Sequence, residues 1–241
     1  MITPTPPQTA QSTSRRGLGC LLEIVETLVL TAVLFWVIQN FVAQPFQVKQ
    51  HSMEHTIEDS QFVLVDRLTP HFDAYHRGDI IVFIPPANIE SPGGDPYIKR
   101  VIGVAGDTVT LKGGKVFVNG IQLDEPYVYT VGDVPQPTVP DPPDGGKTTW
   151  TVPAGDLFVM GDHRMQSTDS RNFGPIEISR VIGRAWLRYW PADSFGVLPT
   201  DSHPELGTPT PGPSASPAGG TKPSAKPTTK PKPKPSRTPR P

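Results

Sequence analysis

The sequence predicts a mostly β domain held behind one apolar N-terminal helix and followed by an unfolded tail. Three observations predict it. Between Phe46 and Ser194, short apolar runs are punctuated by Gly, Pro and Asp, the pattern of strands and turns. From Leu18 to Ile38 the chain is apolar apart from Glu23 and Glu26. Beyond Pro199 it is a mixture of Pro, Thr, Ser and Lys with too few apolar residues to build a core.

In chain order, residues 1–17 are expected to be a disordered, cytoplasmic N-terminus. They end on Arg15 and Arg16, directly before the apolar stretch. Residues 18–40 are expected to be a transmembrane anchor, since at about 1.5 Å per residue some twenty residues span a bilayer core of about 30 Å. Positive charge before the span places the N-terminus inside and everything after it outside. Glu23 and Glu26 lie about one turn apart near the arginines, where they can snorkel or pair. A buried helix of a soluble protein and a cleavable signal peptide are the competing readings, but no small-residue cleavage site follows.

Residues 41–198 are expected to form the extracytoplasmic domain, with about 107–155 as a smaller inserted β subdomain. Candidate strands are Phe62 to Val65, Ile80 to Phe83, Tyr97 to Ile102, Lys115 to Val118, Asp156 to Met160 and Val181 to Trp186. Asn119-Gly120 supplies the two positive-φ residues of a type I′ hairpin turn. Pro135 to Lys147 reads as an exposed loop, and residues 199–241 as the disordered tail. Beyond Gly207 the tail holds seven Lys and Arg and no acid; removing those seven from the net charge of −1 leaves −8 for the rest. An acidic body makes nucleic acid an unsuitable partner. The single cysteine, Cys20, excludes an internal disulfide framework.

Four segments, in order, resemble the bacterial type I signal peptidases, a family of Ser-Lys dyad proteases. Gln44 to Thr56, with Ser52-Met53 and Thr56, is similar to the nucleophile box. Arg77-Gly78-Asp79 and the apolar run after it match a structural box. Tyr97-Ile98-Lys99-Arg100 through Gly106-Asp107 matches the lysine box. Gly161-Asp162-His163-Arg164 with Ser167-Thr168-Asp169-Ser170-Arg171 matches the last. The resemblance covers roughly Leu18 to Trp190. It implies a signal-peptidase-type β-barrel or sheet catalytic fold, with Ser52 as nucleophile and Lys99 as general base. It also implies that Ser167 orients Lys99, that Asp169 and Arg171 brace the site as an ion pair, and that no cofactor or metal takes part. Asp162 with Arg164 is expected to do similar bracing. The substrates implied are signal peptides of exported preproteins, with small residues at the first and third positions before the bond.

The chemistry explains why these residue types must meet. A serine hydroxyl needs a base to take its proton as it attacks. A lysine serves only when neutral, which burial in apolar surroundings favours. Alternation along the strand sets Lys99 opposite Ile98 and Arg100, leaving Arg100 as a structural or surface charge. Phe46, Val48, Tyr97 and Ile98 are candidate peptide-lining residues, with core packing as their competing role. Trp186 and Trp190 are weighed between the membrane interface and the core. Two departures from the family stand out. Gln50-His51 precedes Ser52 where relatives carry smaller residues, so Gln50 becomes a candidate oxyanion donor. His55 stands where proline is commoner. His51 and His55, four apart, are the sole hint of a metal pair. A self-cleaving Ser-Lys repressor and a catalytically impaired, membrane-tethered binding module are the alternative readings. The tail is expected to reach along the anionic envelope, with the lipid bilayer as the other partner.

Overall fold

The computed structural model describes residues 14–87, 89, 94–142 and 145–207. The expected N-terminus up to residue 13 and the tail beyond residue 207 lie outside the described residues. Helix α1, Ser14–Val37, runs into a π-helical turn at Ile38–Val42. The side chains of Leu28, Leu30, Leu34 and Phe35 on it are exposed. Among the described residues, no helix is long and apolar enough to cross a membrane.

Fourteen strands follow among the described residues: β1 Ala43–Gln47, β2 Phe62–Asp66, β3 Ile80–Phe83, β4 Tyr97–Gly103, β5 Thr108–Lys112, β6 Lys115–Val118 and β7 Ile121–Gln122, then β8 Thr130–Val131, β9 Val134–Pro135, β10 Thr149–Thr151, β11 Asp156–Met160, β12 Ile176–Glu177, β13 Val181–Trp190 and β14 Gly196–Val197. The larger sheet runs β1-β2-β13-β3-β4-β11-β12, with β14 added to β13. The smaller one runs β10-β5-β6-β7, within the bounds expected for the subdomain. Asn119 (φ 53°) and Gly120 (φ 82°) join β6 to β7, pairing Val118 with Ile121. That is the two-residue turn their left-handed preference predicts.

Alternation sorts the large sheet's side chains onto two cores. Ile80 and Val82 of β3 pack with Val63 and Val65 of β2, Val48, Met53 and Ile98, while Ile81 and Phe83 pack with Tyr97, Val101, Leu157 and Val159. Strands β3 and β4 are therefore buried on both faces, as continuous apolar runs require. A third core joins the sheets: Val109, Leu111, Val116, Val118 and Trp150 meet Ile102, Phe158 and Met160. Strand β13 pairs with β2, β3 and β14, and its register shifts three times along the way. Such bulges bend and twist a strand, letting one long strand serve several partners.

Two expectations need correcting. Residues 199–207 are not part of an unfolded tail but a strap laid back on the domain. Leu198 and His203 are buried, Pro199 O and Asp201 Oδ2 accept from Arg100 Nη1 at 3.2 and 2.9 Å, and Gly207 O accepts from Arg77 Nη1. A Cβ on Gly78 (φ 90°) would collide with the Asp201 carbonyl, so the strap passes where only glycine fits. Composition misleads here because the strap is held by polar bonds to buried arginines. The Pro135–Lys147 loop is likewise not wholly exposed: Thr138 is buried and accepts from Arg164, and Val139 O accepts from Arg171 Nη1.

A chain ending at Gly207 should keep the full chain's thermal midpoint. One ending at Pro199 leaves Arg100 without Asp201 and should melt on the order of 5 °C lower, since an unmet buried donor costs about 1–3 kcal/mol. Differential scanning calorimetry of the two truncations checks this.

Candidate active site

Ser52 lies in a 3-10 turn, His51–Met53, reached from β1 through the extended Gln50. Lys99 lies in the middle of β4. Forty-seven residues apart in sequence, they meet at 2.7 Å between Lys99 Nζ and Ser52 Oγ. Both side chains are buried, Lys99 completely. The Lys99 amine also donates to the Ile98 carbonyl (3.0 Å) and stands 5.0 Å from the centroid of the Tyr97 ring. Tyr97 thus shares the face of Lys99, as strand alternation requires.

Burial lowers the Lys99 pKa from 10.5 to about 8, because an ammonium without water around it is disfavoured. Asp169 and Asp162 pull the other way, and Arg171 adds to the lowering. Each of the two carboxylates is also bound to an arginine. Asp169 receives Arg171 through Nε and Nη2, both at 2.9 Å, together with the Gly161 N–H and the Ser167 hydroxyl. Burial alone would raise the Asp169 pKa, but Arg171 and these donors hold it below the usual carboxylate value. Asp169 also caps the short helix α2, Ser170–Phe173, by a capping box with Asn172.

Asp162 is held in the same manner. Arg100 reaches it through Nε (2.9 Å) and Nη2 (2.8 Å), and the Thr56 hydroxyl donates to it at 2.6 Å. Arg100 is therefore structural and fully buried, with Gly78 O as a further acceptor and the Tyr127 ring 4.0 Å away; the surface alternative does not hold. Nor do Asp162 and Arg164 pair with each other. Arg164 is buried against Glu125 Oε1 (2.5 Å), Gly161 O and Thr138.

The segment 161–163 supports the nucleophile turn at close range. The His163 N–H donates to Ser52 O (3.1 Å), and its Nδ1 lies 2.7 Å from Glu54 Oε2 while Tyr129 stacks on its ring. His51 Nδ1 meets the other oxygen of Glu54 at 2.5 Å. A Cβ on Gly161 would strike Ser52 O (2.5 Å) and the Ser167 hydroxyl. The sequence reading missed Gly161 and Glu54. The Gly-Asp pair was the available signal for the first, whereas nothing local marks Glu54.

The resemblance implies that Ser167 orients Lys99; in the structure its hydroxyl donates to Asp169 Oδ2 at 2.7 Å. It acts on Asp169, whose charge in turn acts on Lys99. His51 and His55 have separate partners: His55 Nδ1 lies 3.2 Å from Tyr127 O. Among the described residues, no three His, Cys, Asp or Glu converge as metal ligands. His55 adopts φ 85°, which a proline ring fixed near −65° cannot reach. This turn, as folded, excludes the residue commoner in relatives.

A cleft of about 530 Å³ is lined by Pro45 to Gln50, Val63, Val82, Asp95, Pro96 and Ile98; it reaches Gln50 and Ile98, which flank the dyad in sequence, but neither Ser52 nor Lys99 is among its lining residues. It brings together Phe46, Val48, Gln50 and Ile98. Tyr97 is not among its lining residues; its ring packs against Phe83 at 6.1 Å between centroids.

The chain matches the family described as signal peptidase, peptidase S26, over residues 21–190. It is 34% identical over 197 residues to a signal peptidase I of Leptolyngbya laminosa, covering 80% of this chain and 92% of the relative. It is 33% identical over 182 residues to signal peptidase IB of Staphylococcus aureus, strain Mu50, covering 73% and 92%. A signal peptidase I crystal structure from Enterococcus faecalis V583 shares 30% identity at a TM-score of 0.36, covering 46% of this chain and 97% of that one.

Two outcomes are expected. Between pH 8 and 10.5 the unfolded chain binds the Lys99 proton and the folded chain does not, so stability rises with pH across that window by about 3 kcal/mol. Urea unfolding of Lys99→Met should lack this gain. Gly161→Ala should separate the segment from the nucleophile turn and lower any peptidase turnover by about 10²-fold, measured against a folded control by circular dichroism.

Proposed function

The chain belongs to the signal peptidase family, peptidase S26, and is a serine peptidase; we propose that it removes signal peptides from exported preproteins at the membrane, with Ser52 as nucleophile and Lys99 as general base. The 2.7 Å contact between the two in a dry site carries this reading. As an ammonium, Lys99 donates to Ser52 Oγ; once neutral, its lone pair accepts the serine proton. Oγ then attacks the scissile carbonyl carbon and the proton passes to Nζ. Collapse of the tetrahedral intermediate breaks the C–N bond, and the leaving amine takes that proton. Water, deprotonated by the neutral Lys99 amine, then attacks the acyl carbon; the acyl C–O bond breaks and Lys99 returns the proton to Ser52 Oγ. The Ser52 N–H lies in the first turn of its 3-10 helix, where backbone donors have no intrahelical acceptor. It is suited to the oxyanion, with the Gln50 amide on the cleft wall as the second donor.

The peptide is proposed to add as a strand along β1. Arg67 N–H bonds Val42 O and Val48 N–H bonds Gln61 O, so alternation turns the backbone groups of Ala43, Pro45 and Gln47 toward the free edge. An extended segment can pair there, over the apolar Phe46, Val48 and Ile98. Asp169, Arg171 and Ser167 are positioning residues in this scheme.

Membrane attachment is part of the proposal. Its support is the apolar run after Arg15 and Arg16, the exposed apolar side chains of α1, and the exposure of Trp186 and Trp190, which suits an aromatic belt at the interface. Ser52 follows Ile38 by fourteen residues, within about 45–50 Å of the bilayer when extended. The basic residues beyond Gly207 are proposed to reach along the anionic envelope; deleting them should weaken that association.

Cleavage of a preprotein in membranes tests the dyad. Ser52→Ala and Lys99→Ala should each lose about 10³-fold or more of wild-type turnover. Wild-type kcat/KM should rise with pH through about 8 as Lys99 loses its proton. Activity surviving either substitution would refute the assignment.

A further inference from the structure

We propose that Lys49 and Asp95 form a charged gate across the cleft, which an uncharged extended peptide must part in order to bind. The proposal rests on reading the cleft as the peptide's seat and adds what guards it. Lys49 follows β1 and Asp95 precedes β4. Among the described residues lining the cleft, they are the two that carry charge. Lys49 Nζ lies 3.4 Å from Asp95 Oδ2, so the pair bridges the gap that a strand laid along β1 would occupy. Lys49 stands three residues before Ser52. The pair therefore faces the few residues that precede the scissile bond.

The exposure of the two side chains, 62% and 46%, sets the size of the effect. Exposed ion pairs shift equilibria by roughly 1.5- to 5-fold and fade as salt screens them. A peptide entering the cleft exchanges this pair for backbone bonds to the β1 edge. An uncharged segment offers no charge to either group, so its binding carries the loss of the attraction between Lys49 and Asp95.

The test uses the full chain in detergent micelles and an uncharged fluorogenic peptide with small residues at the first and third positions before the bond. For the wild type, KM should fall by up to about five-fold as salt rises from roughly 0.05 to 0.5 M. Lys49→Gln and Asp95→Asn should begin at the lower KM and stay flat, with the effect confined to KM. The double reversal, Lys49→Asp with Asp95→Lys, should restore the wild-type KM and its salt response. Single variants that keep the wild-type response, or a reversal that fails to restore it, overturn the gate. The same comparison is made in a Ser52→Ala background by peptide anisotropy. A wild type that cleaves nothing thus counts against the proposed function alone, while the Kd values still decide the gate.

Discussion

A lysine enclosed in the protein interior is the constraint on which the rest of this structure depends. Burying an ammonium is costly, and burial here lowers the pH at which the group sheds its proton to about 8. The site must then keep carboxylates close enough to order the surrounding loops while burial still outweighs their support for the ammonium. Asp162 and Asp169 meet that requirement because each is bound two-point by an arginine, Arg100 and Arg171 respectively. Both still favour the Lys99 ammonium, against the burial that disfavours it.

The same arginines tie the fold to the site. Arg100 sits next to Lys99 on β4 and points to the other face, where Asp162, Gly78 O, Pro199 O and Asp201 take its hydrogen bonds. A buried guanidinium presents five donors, each of which needs an acceptor. The strap at 199–207 supplies two of those acceptors, so a segment that looks like tail belongs to the support of the nucleophile turn. Arg171 likewise gathers Arg164 O, Val139 O and Asp169 around one plane. That is how the Pro-rich loop at 136–142 comes to be held.

The sequence made the apolar periodicities legible, and with them each candidate strand, the Asn119-Gly120 turn and the inserted subdomain. Ser52 and Lys99 were legible through their boxes, and the structure places them in contact. What stayed hidden depended on long-range polar pairing. Arg100 reads as a structural or a surface charge because alternation names a face but not what covers it; both faces of β4 are covered, which leaves the structural role. Asp162 and Arg164 read as partners because they are neighbours in sequence; each finds its partner on another element, Arg100 and Glu125. Tyr97 reads equally as peptide-lining or as core; alternation puts it on the face of Lys99, and it packs in the core. The strap was misread on composition, which measures apolar content and not unmet acceptors.

The edge of β1 shows how one strand can be open to a peptide without being open to everything. Unpaired edges invite self-association, and this one is short and carries Pro45 at a position whose N–H would face outward. A proline there removes a donor from the edge without disturbing the ladder to β2. Gln47 keeps its donor and acceptor, nearer Ser52, so pairing is favoured toward the dyad and discouraged away from it. The exposed edge and the buried base are thus two ends of one design: the β1 edge keeps backbone groups turned outward where a peptide is proposed to lie, while the carboxylates and arginines around Lys99 are bound to one another.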